Sequence, residues 1–180
     1  MRIRGKTGQF NRFALLYLPT YKLTVLITGI SPGGLGAEAA RTISLSQPRL
    51  LILPGRNTSQ VQETEAAINA TSPHVPTRYL KLDLSSQKQI HEAAAEVNDY
   101  KEPIDRLINN AAIMAAPYTV TEDRLGSQFG TNNVGHFLFT NLIMSKIFEA
   151  VEGAKIVNVS SHGYYLEGIG FDDYSFSVSC

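Results

Sequence analysis

Leu23-Thr24-Val25-Leu26-Ile27-Thr28-Gly29-Ile30-Ser31-Pro32-Gly33-Gly34-Leu35-Gly36 is the stretch on which the fold turns. Leu23 to Ile27 is uncharged and rich in aliphatic and β-branched side chains, as in a strand covered on both faces. Glycines then interrupt the run, and a helix-like segment opens behind them. Gly33, Gly34 and Gly36 let the backbone turn tightly and come close to a bulky anion. The helix that follows aims unpaired N–H groups and a positive dipole end at that anion. A phosphate or pyrophosphate is the ligand such a loop implies.

The same residues also spell Gly-x-Ser-x-Gly at Gly29-Ile30-Ser31-Pro32-Gly33, the context of a hydrolase nucleophile elbow built on Ser31. Pro32 counts against that reading. In the elbow the residue after the nucleophile donates its backbone N–H to the oxyanion hole, and proline has none to donate.

Outward from this stretch, short apolar runs alternate with helical patterns. Leu35, Ala39 and Ile43 share a helical face that ends before Pro48, and Leu50 to Leu53 is a second strand. Thr58 to Ala70 is a helix capped by Thr58 or Ser59, Arg78 to Leu82 a third strand, and Gln87 to Tyr100 a third helix for which Asp83 is a candidate N-cap. Arg106 to Ile108 enters a fourth strand, about Asp123 to Ala150 forms a long helix, and Lys155 to Ser161 is a fifth strand. The alternation predicts an α/β fold, a doubly wound parallel sheet in the order 3-2-1-4-5. Its ligand crevice lies at the carboxyl ends of the strands, where the order reverses.

A chain of 180 residues with 43% hydrophobic and 18% charged content can bury one substantial core. Its formal net charge of zero removes the general electrostatic case for nucleic acid or an acidic membrane surface. The one cysteine, Cys180, leaves no disulfide framework and no thiolate metal site, which fits a reducing compartment. Residues 1–22 carry Arg2, Arg4, Lys6, Arg12 and Lys22, and no acidic residue precedes Glu38. The apolar segment Phe13 to Leu18 is too short for a secretory core or a membrane span, so 1–22 is expected to be a basic arm in a cytoplasmic protein.

Four motifs carry a family resemblance. Thr28-Gly29 with the glycines behind it resembles the Thr-Gly-x-x-x-Gly-x-Gly cofactor loop of the short-chain dehydrogenase/reductase family, expanded by one residue, with Gly29, Gly34 and Gly36 in the family roles. Asn109-Asn110-Ala111-Ala112 is similar to the family's Asn-Asn-Ala-Gly, with Ala112 in the glycine position. Phe129 to Phe137 resembles the Phe-x-x-Asn-x-x-Gly-His-Phe segment of the retinol-dehydrogenase-like and protochlorophyllide-reductase-like branches. Lys155 to Ser161 is similar to the strand that delivers the family's catalytic serine.

The resemblance implies a Rossmann-type dinucleotide-binding domain over 23–162, incomplete at its C-terminal side. It puts Thr28, Gly29, Ser31, Gly34, Leu35, Gly36, Asp83, Leu84, Asn110 and Ala111 around the cofactor, and assigns Asn132 and Ser161 to catalysis. In the turn Pro54-Gly55-Arg56-Asn57 the family meets the adenosine ribose. An arginine there pairs with a 2′-phosphate, whereas an acidic residue would accept from a free hydroxyl, so Arg56 favours NADP over NAD. His136 is read as a satisfied core or interface histidine. The 123–150 helix is apolar nearly all round and needs cover on more than one side, and the resemblance implies a homodimer through it.

The chemistry implied is hydride transfer between nicotinamide and the carbonyl or alcohol carbon of a lipophilic small molecule, of the kind met in specialised metabolism. A tyrosine phenol exchanges the proton, a lysine four residues on holds the ribose and lowers the phenol pKa, the serine bonds the substrate oxygen, and the asparagine positions water. Here the sequence departs from the family. Tyr164, Tyr165 and Tyr174 are followed four positions on by Gly168, Ile169 and Val178, and no lysine or arginine occurs after Lys155. The expectation is a chain truncated before Tyr-x-x-x-Lys, with 163–180 as a tail where the substrate part begins. Such a chain would be inactive alone, a fragment of an oxidoreductase or, as the alternative, a dinucleotide-binding remnant or subunit-interacting pseudoenzyme.

Overall fold

The structure is a computed structural model that describes residues 23–150, 153–165 and 171–173. The basic arm at 1–22, and Gly168, Ile169, Tyr174, Val178 and Cys180 of the tail, lie outside the described residues.

Five strands, β1 (Thr24–Ile27), β2 (Leu50–Gly55), β3 (Thr77–Lys81), β4 (Arg106–Asn109) and β5 (Lys155–Asn158), form one sheet in the order β3-β2-β1-β4-β5. Every pairing is parallel, with Leu26 opposite Ile52 on one side and Leu107 on the other. The apolar run that predicted a doubly covered strand divides by alternation. Val25, Ile27, Leu51 and Leu53 pack with Ala40, Ile43, Val61 and Ile68 of α1 (Leu35–Ser44) and α2 (Thr58–Thr71). Leu26, Leu50, Ile52 and Leu107 face the other way, onto Ile90, Ala94 and Val97 of α3 (Gln87–Asn98) and onto Phe139 and Ile143. A strand with two apolar faces therefore needs helices on both sides, and the chain supplies them.

Pro54 sits inside β2 without disturbing the ladder. Leu51 N–H points to β3, where it meets Pro76 O at 2.9 Å, so alternation turns the Pro54 nitrogen toward β1. The pairing with β1 has already ended at Ile52, and the missing donor costs no bond there. At the other edge β5 leaves Ile156 39% and Val157 46% exposed.

The long helix expected from Asp123 to Ala150 is shorter and broken. Arg124 has φ 60, which a right-handed helix cannot accommodate, and the Asp123 carboxylate accepts from Gln87 N–H at 2.8 Å. Glu122 and Asp123 thus dock on the start of α3, with Glu122 bonded to Ser86, instead of opening a helix of their own. The helical path begins with one turn, α4 (Ser127–Phe129), and passes through a π-helical turn at Gly130–Gly135 into α5 (His136–Leu142). It breaks at Ile143 (φ −99, ψ 9) before α6 (Met144–Phe148).

Two caps differ from expectation for a similar reason. Asn57, not Thr58 or Ser59, caps α2 by accepting from Ser59 N–H at 3.0 Å. Ser86, not Asp83, caps α3, because both bonds to Asp83 Oδ1 come from Ser85 in the turn before it. Among the described residues no helix is long and apolar enough to cross a membrane, and no cluster of histidines, cysteines and carboxylates could hold a metal ion.

Candidate functional site

A cavity of about 730 Å³ opens over the carboxyl ends of β1, β2, β3 and β4. Of the residues assigned to the cofactor, Thr28, Gly29, Ser31, Gly34, Leu35, Arg56, Asp83, Leu84, Asn110 and Ala111 all line it. Gly36 lies buried beneath its floor. A smaller cavity of about 460 Å³, behind the loop between α1 and α2, shares only Gly34 and Leu35 with that set.

The loop after β1 needs its glycines at two points in particular. Gly29 has φ +73, and a Cβ there would meet Ala111 Cα. A Cβ on Gly36 would fall on Gly29 O and Asn110 Nδ2, so the first turn of α1 touches both neighbouring loops with no space between them. The extra residue in the loop is taken up by a tight turn that Gly34 N–H closes onto Ser31 O at 2.9 Å. Pro32 stands second and Gly33, at φ +74, third, the residues a type II turn calls for. Ser31 is exposed on this turn, and among the described residues no histidine bonds to its hydroxyl. Gly34 at the N-cap of α1 has no side chain to cap the helix, so the first-turn amides are left to solvent or a ligand.

Asn109, the last residue of β4, and Asn110 behind it tie three strands together. Asn109 Nδ2 donates to Asn158 Oδ1 at 2.8 Å at the end of β5 and to Thr140 Oγ1 at 3.2 Å on α5. Asn110 Nδ2 donates to Thr28 O at 2.8 Å and Gly29 O at 3.1 Å. In return Thr28 Oγ1 accepts from the backbone N–H groups of Asn110 and Ala111, each at 2.9 Å. Ala112 is not among the residues at positive φ, so the methyl that replaces the family glycine meets no backbone strain.

Arg56 is exposed at the β2 end of the cavity, and among the described residues its guanidinium has no ion-pair partner. Tyr79 on β3 holds the strand end below it by donating to Gly55 O at 3.1 Å. At the opposite end lie Ala112, Ile113 and Thr131. Thr131 Oγ1 is buried and has no hydrogen-bond partner among the described residues. The sequence reading missed this residue, whose only signal was its place beside Asn132.

The structure does not bring the two expected catalytic residues to the cavity wall. Asn132 is exposed, not buried in an apolar helix, and both ends of its amide are engaged by one residue. Its Oδ1 accepts from Ile113 N–H at 2.9 Å and its Nδ2 donates to Ile113 O at 2.8 Å. Ser161 is exposed beyond the end of β5. Nearby, the rings of His162 and Tyr165 meet at a tilt of 55° with centroids 4.8 Å apart.

Residues 23–177 match the family model described as short chain dehydrogenase. The short-chain dehydrogenase TIC 32 A, chloroplastic, of Brassica napus is 39% identical over 158 residues, covering 83% of this chain and 48% of that protein. Human retinol dehydrogenase 13 is 36% identical over 157 residues, covering 86% of this chain and 46% of that one. The chain thus spans about half the length of the curated relatives it matches. A solved short chain dehydrogenase from Escherichia coli CFT073 complexed with NADPH superposes with a TM-score of 0.68 at 20% identity, covering 85% of this chain and 64% of that one. With its sheet order, its glycine loop and these matches, the chain belongs to the short-chain dehydrogenase family of oxidoreductases, in the retinol-dehydrogenase-like branch.

Proposed function

We propose that this chain forms the NADP-binding part of an oxidoreductase acting on a lipophilic carbonyl or secondary alcohol. The observation that carries the reading is the cavity that collects the glycine loop, the Thr28–Asn110 tie and the Arg56 guanidinium. The residues fit a dinucleotide phosphate. Glycine at positions 29 and 36 lets the loops after β1 and β4 close up beneath the cavity, where a Cβ would strike Ala111, Asn110 or Gly29 O. The first-turn amides of α1 have no side-chain cap, and a cation stands at the cavity's β2 end. Gly34, Leu35 and the Ser31 turn cradle the diphosphate, Arg56 pairs with the 2′-phosphate, and Asp83 and Leu84 flank the adenine. Asn110 and Ala111 stand beside the nicotinamide half, and NAD binds less well for want of an acidic residue at the Arg56 position.

When bound, the nicotinamide supplies or takes up the hydride. Asn132 and Ser161 are the candidates for ordering water and the substrate oxygen. No tyrosine after Ser161 is followed by a lysine four positions on, so the 180 residues alone are proposed to bind NADP and turn over little or nothing. Losing a general acid costs on the order of 10²- to 10⁴-fold in rate. Phe137 and Phe148, 70% and 81% exposed along the 127–148 path, support a homodimer through that face. A cytoplasmic location belongs to the same proposal, and cell fractionation tests it.

Titration of the 180-residue chain with NADPH and NADH, followed by nucleotide fluorescence, tests the reading. Saturable binding with NADPH the tighter ligand is expected. Absence of binding by either nucleotide overturns it. Sedimentation velocity tests the dimer, and an intact mass from the native source well above 19.7 kDa would identify these residues as part of a longer protein.

A further inference from the structure

The π-helical turn Gly130–Gly135 delivers His136 into the protein, 7% exposed and bonded at both ring nitrogens. Its Nδ1 lies 3.1 Å from Asn132 O, and its Nε2 lies 3.0 Å from Thr28 Oγ1. A carbonyl oxygen can only accept, so Nδ1 carries the proton and Nε2 is left as an acceptor. The Thr28 hydroxyl therefore donates to Nε2. Its alternative acceptor, Ile108 O, stands at 3.5 Å, too far to compete. With the hydroxyl proton committed to His136, both lone pairs of Thr28 Oγ1 are free for the N–H groups of Asn110 and Ala111. The proton directions are thus fixed from the β4 loop, through Thr28 and His136, to the turn that holds Asn132.

We propose that His136, as the neutral Nδ1–H imidazole, is a positioning residue that locks the Asn132 turn to the Thr28 hydroxyl and thereby sets the Asn110 and Ala111 amides at the cavity wall. The same turn lines the cavity through Thr131, and it has no slack, since a Cβ on Gly135 would fall on Leu84 O. A shift of the turn is therefore felt at Thr131 and Leu84 as well. The effect on a dinucleotide rests on the function proposed above, whereas the lock itself does not.

A proton added to Nε2 would turn an acceptor into a donor. Thr28 Oγ1 would then face three donors with two lone pairs, and one of the two backbone amides would be released. Around the ring, the loop after β1 presents Thr28, the loop after β4 presents Asn110 and Ala111, and the turn presents Asn132. Burial lowers the ring's pKa and the Asn132 carbonyl partly opposes that, with no carboxylate, lysine or arginine among the described residues contributing.

The test uses the ¹⁵N-labelled 180-residue chain. Long-range correlations of the His136 ring at neutral pH are expected to report the Nδ1–H tautomer, and on acidification the Asn110 and Ala111 amide signals should move with the same midpoint as the ring. In His136→Gln, which keeps a donor and an acceptor, those signals should stay near their wild-type positions and no longer titrate. In His136→Leu they should be displaced at every pH. An Nε2–H tautomer, or amides that ignore both the ring's protonation and His136→Leu, would overturn the proposal, and the wild-type titration decides it even if the leucine variant does not fold. At neutral pH, NADP⁺ should bind His136→Leu about tenfold more weakly than wild type and His136→Gln nearly as well. If NADP⁺ leaves the wild-type loop signals unmoved, the dinucleotide reading fails while the tautomer result still decides the lock.

Discussion

Asn110 Nδ2 donates to the carbonyl oxygen of Gly29 at 3.1 Å, joining residues 81 positions apart in the sequence. The bond crosses the point where the sheet order reverses, between the loop after β1 and the loop after β4. A second bond from the same nitrogen, to Thr28 O at 2.8 Å, makes Asn110 the clasp that holds the two loops in register. The floor of the cavity is thus a tertiary contact, which no single motif contains.

Asn110→Ala would leave both carbonyl oxygens without their donor. The expected loss is about 1–3 kcal/mol of stability, the cost of unsatisfied, part-buried polar groups, read as a lowered midpoint in urea denaturation. Asn110→Asp should lose more, because a carboxylate would face two carbonyl oxygens where a donor now stands. An aspartate variant as stable as the alanine variant would show that the donation does not matter.

Gly36→Ala and Gly33→Ala separate close approach from backbone freedom. The methyl at Gly36 would press on Gly29 O and on Asn110, so NADP binding and folding should both suffer, by about 1–3 kcal/mol of stability for an overpacked site. At Gly33 no described residue lies within 4 Å of where a methyl group would sit, and only the φ of +74 resists, for roughly 1–2 kcal/mol with the nucleotide site left intact. Thermal melts and NADPH titrations on the two variants should therefore diverge in binding more than in stability.

The sheet was legible because Leu23 to Ile27 and Leu50 to Leu53 have no polar face, and a strand apolar on both sides admits few architectures. The glycine loop was legible as an anion cradle, although its extra residue registered only as a spacing fault. Its accommodation as a Ser31–Gly34 turn follows from Pro32 and Gly33 standing in the order such a turn requires. What failed to show was set by partners distant in sequence. Glu122 and Asp123 look like the opening of a helix, yet they serve α3, 36 residues back. Thr28 and His136 are 108 residues apart, and no local pattern announces that one orients the other's hydroxyl. Asn132 carried a motif but not its partner, since the Ile113 backbone that takes up its amide lies 19 residues back, in the loop after β4.

The stability of the chain should fall in mild acid, and His136 sets the direction. Burial holds its pKa below the ordinary 6.5, with the Asn132 carbonyl opposing in part. The unfolded chain therefore binds more protons than the folded one below that value, and stability rises with pH wherever this is so. The histidine's contribution is complete above about pH 6.5 and is lost as the pH falls through the folded-state pKa. Urea midpoints compared at neutral pH and in mild acid should drop for the wild type and drop less for His136→Gln. Equal slopes in the two proteins would place the pH dependence elsewhere.

Cofactor choice should turn on Arg56, because it is the cation at the β2 end of the cavity and among the described residues it is paired with no carboxylate. Arg56→Ala removes charge-assisted hydrogen bonds to a 2′-phosphate, which contribute about 1.5–3 kcal/mol, so NADPH affinity should fall roughly tenfold to a hundredfold. NADH lacks the phosphate, and its affinity should scarcely change. Arg56→Asp goes further, since the new carboxylate repels the phosphate and can accept from a free 2′-hydroxyl, so the order of preference should reverse toward NADH. Arg56 is exposed and makes no ion pair among the described residues, so the melting temperature should be nearly the same in all three proteins. Calorimetric titration of wild type, Arg56→Ala and Arg56→Asp with both nucleotides decides the matter. If the two nucleotides weaken in parallel, Arg56 acts on something other than the 2′-phosphate.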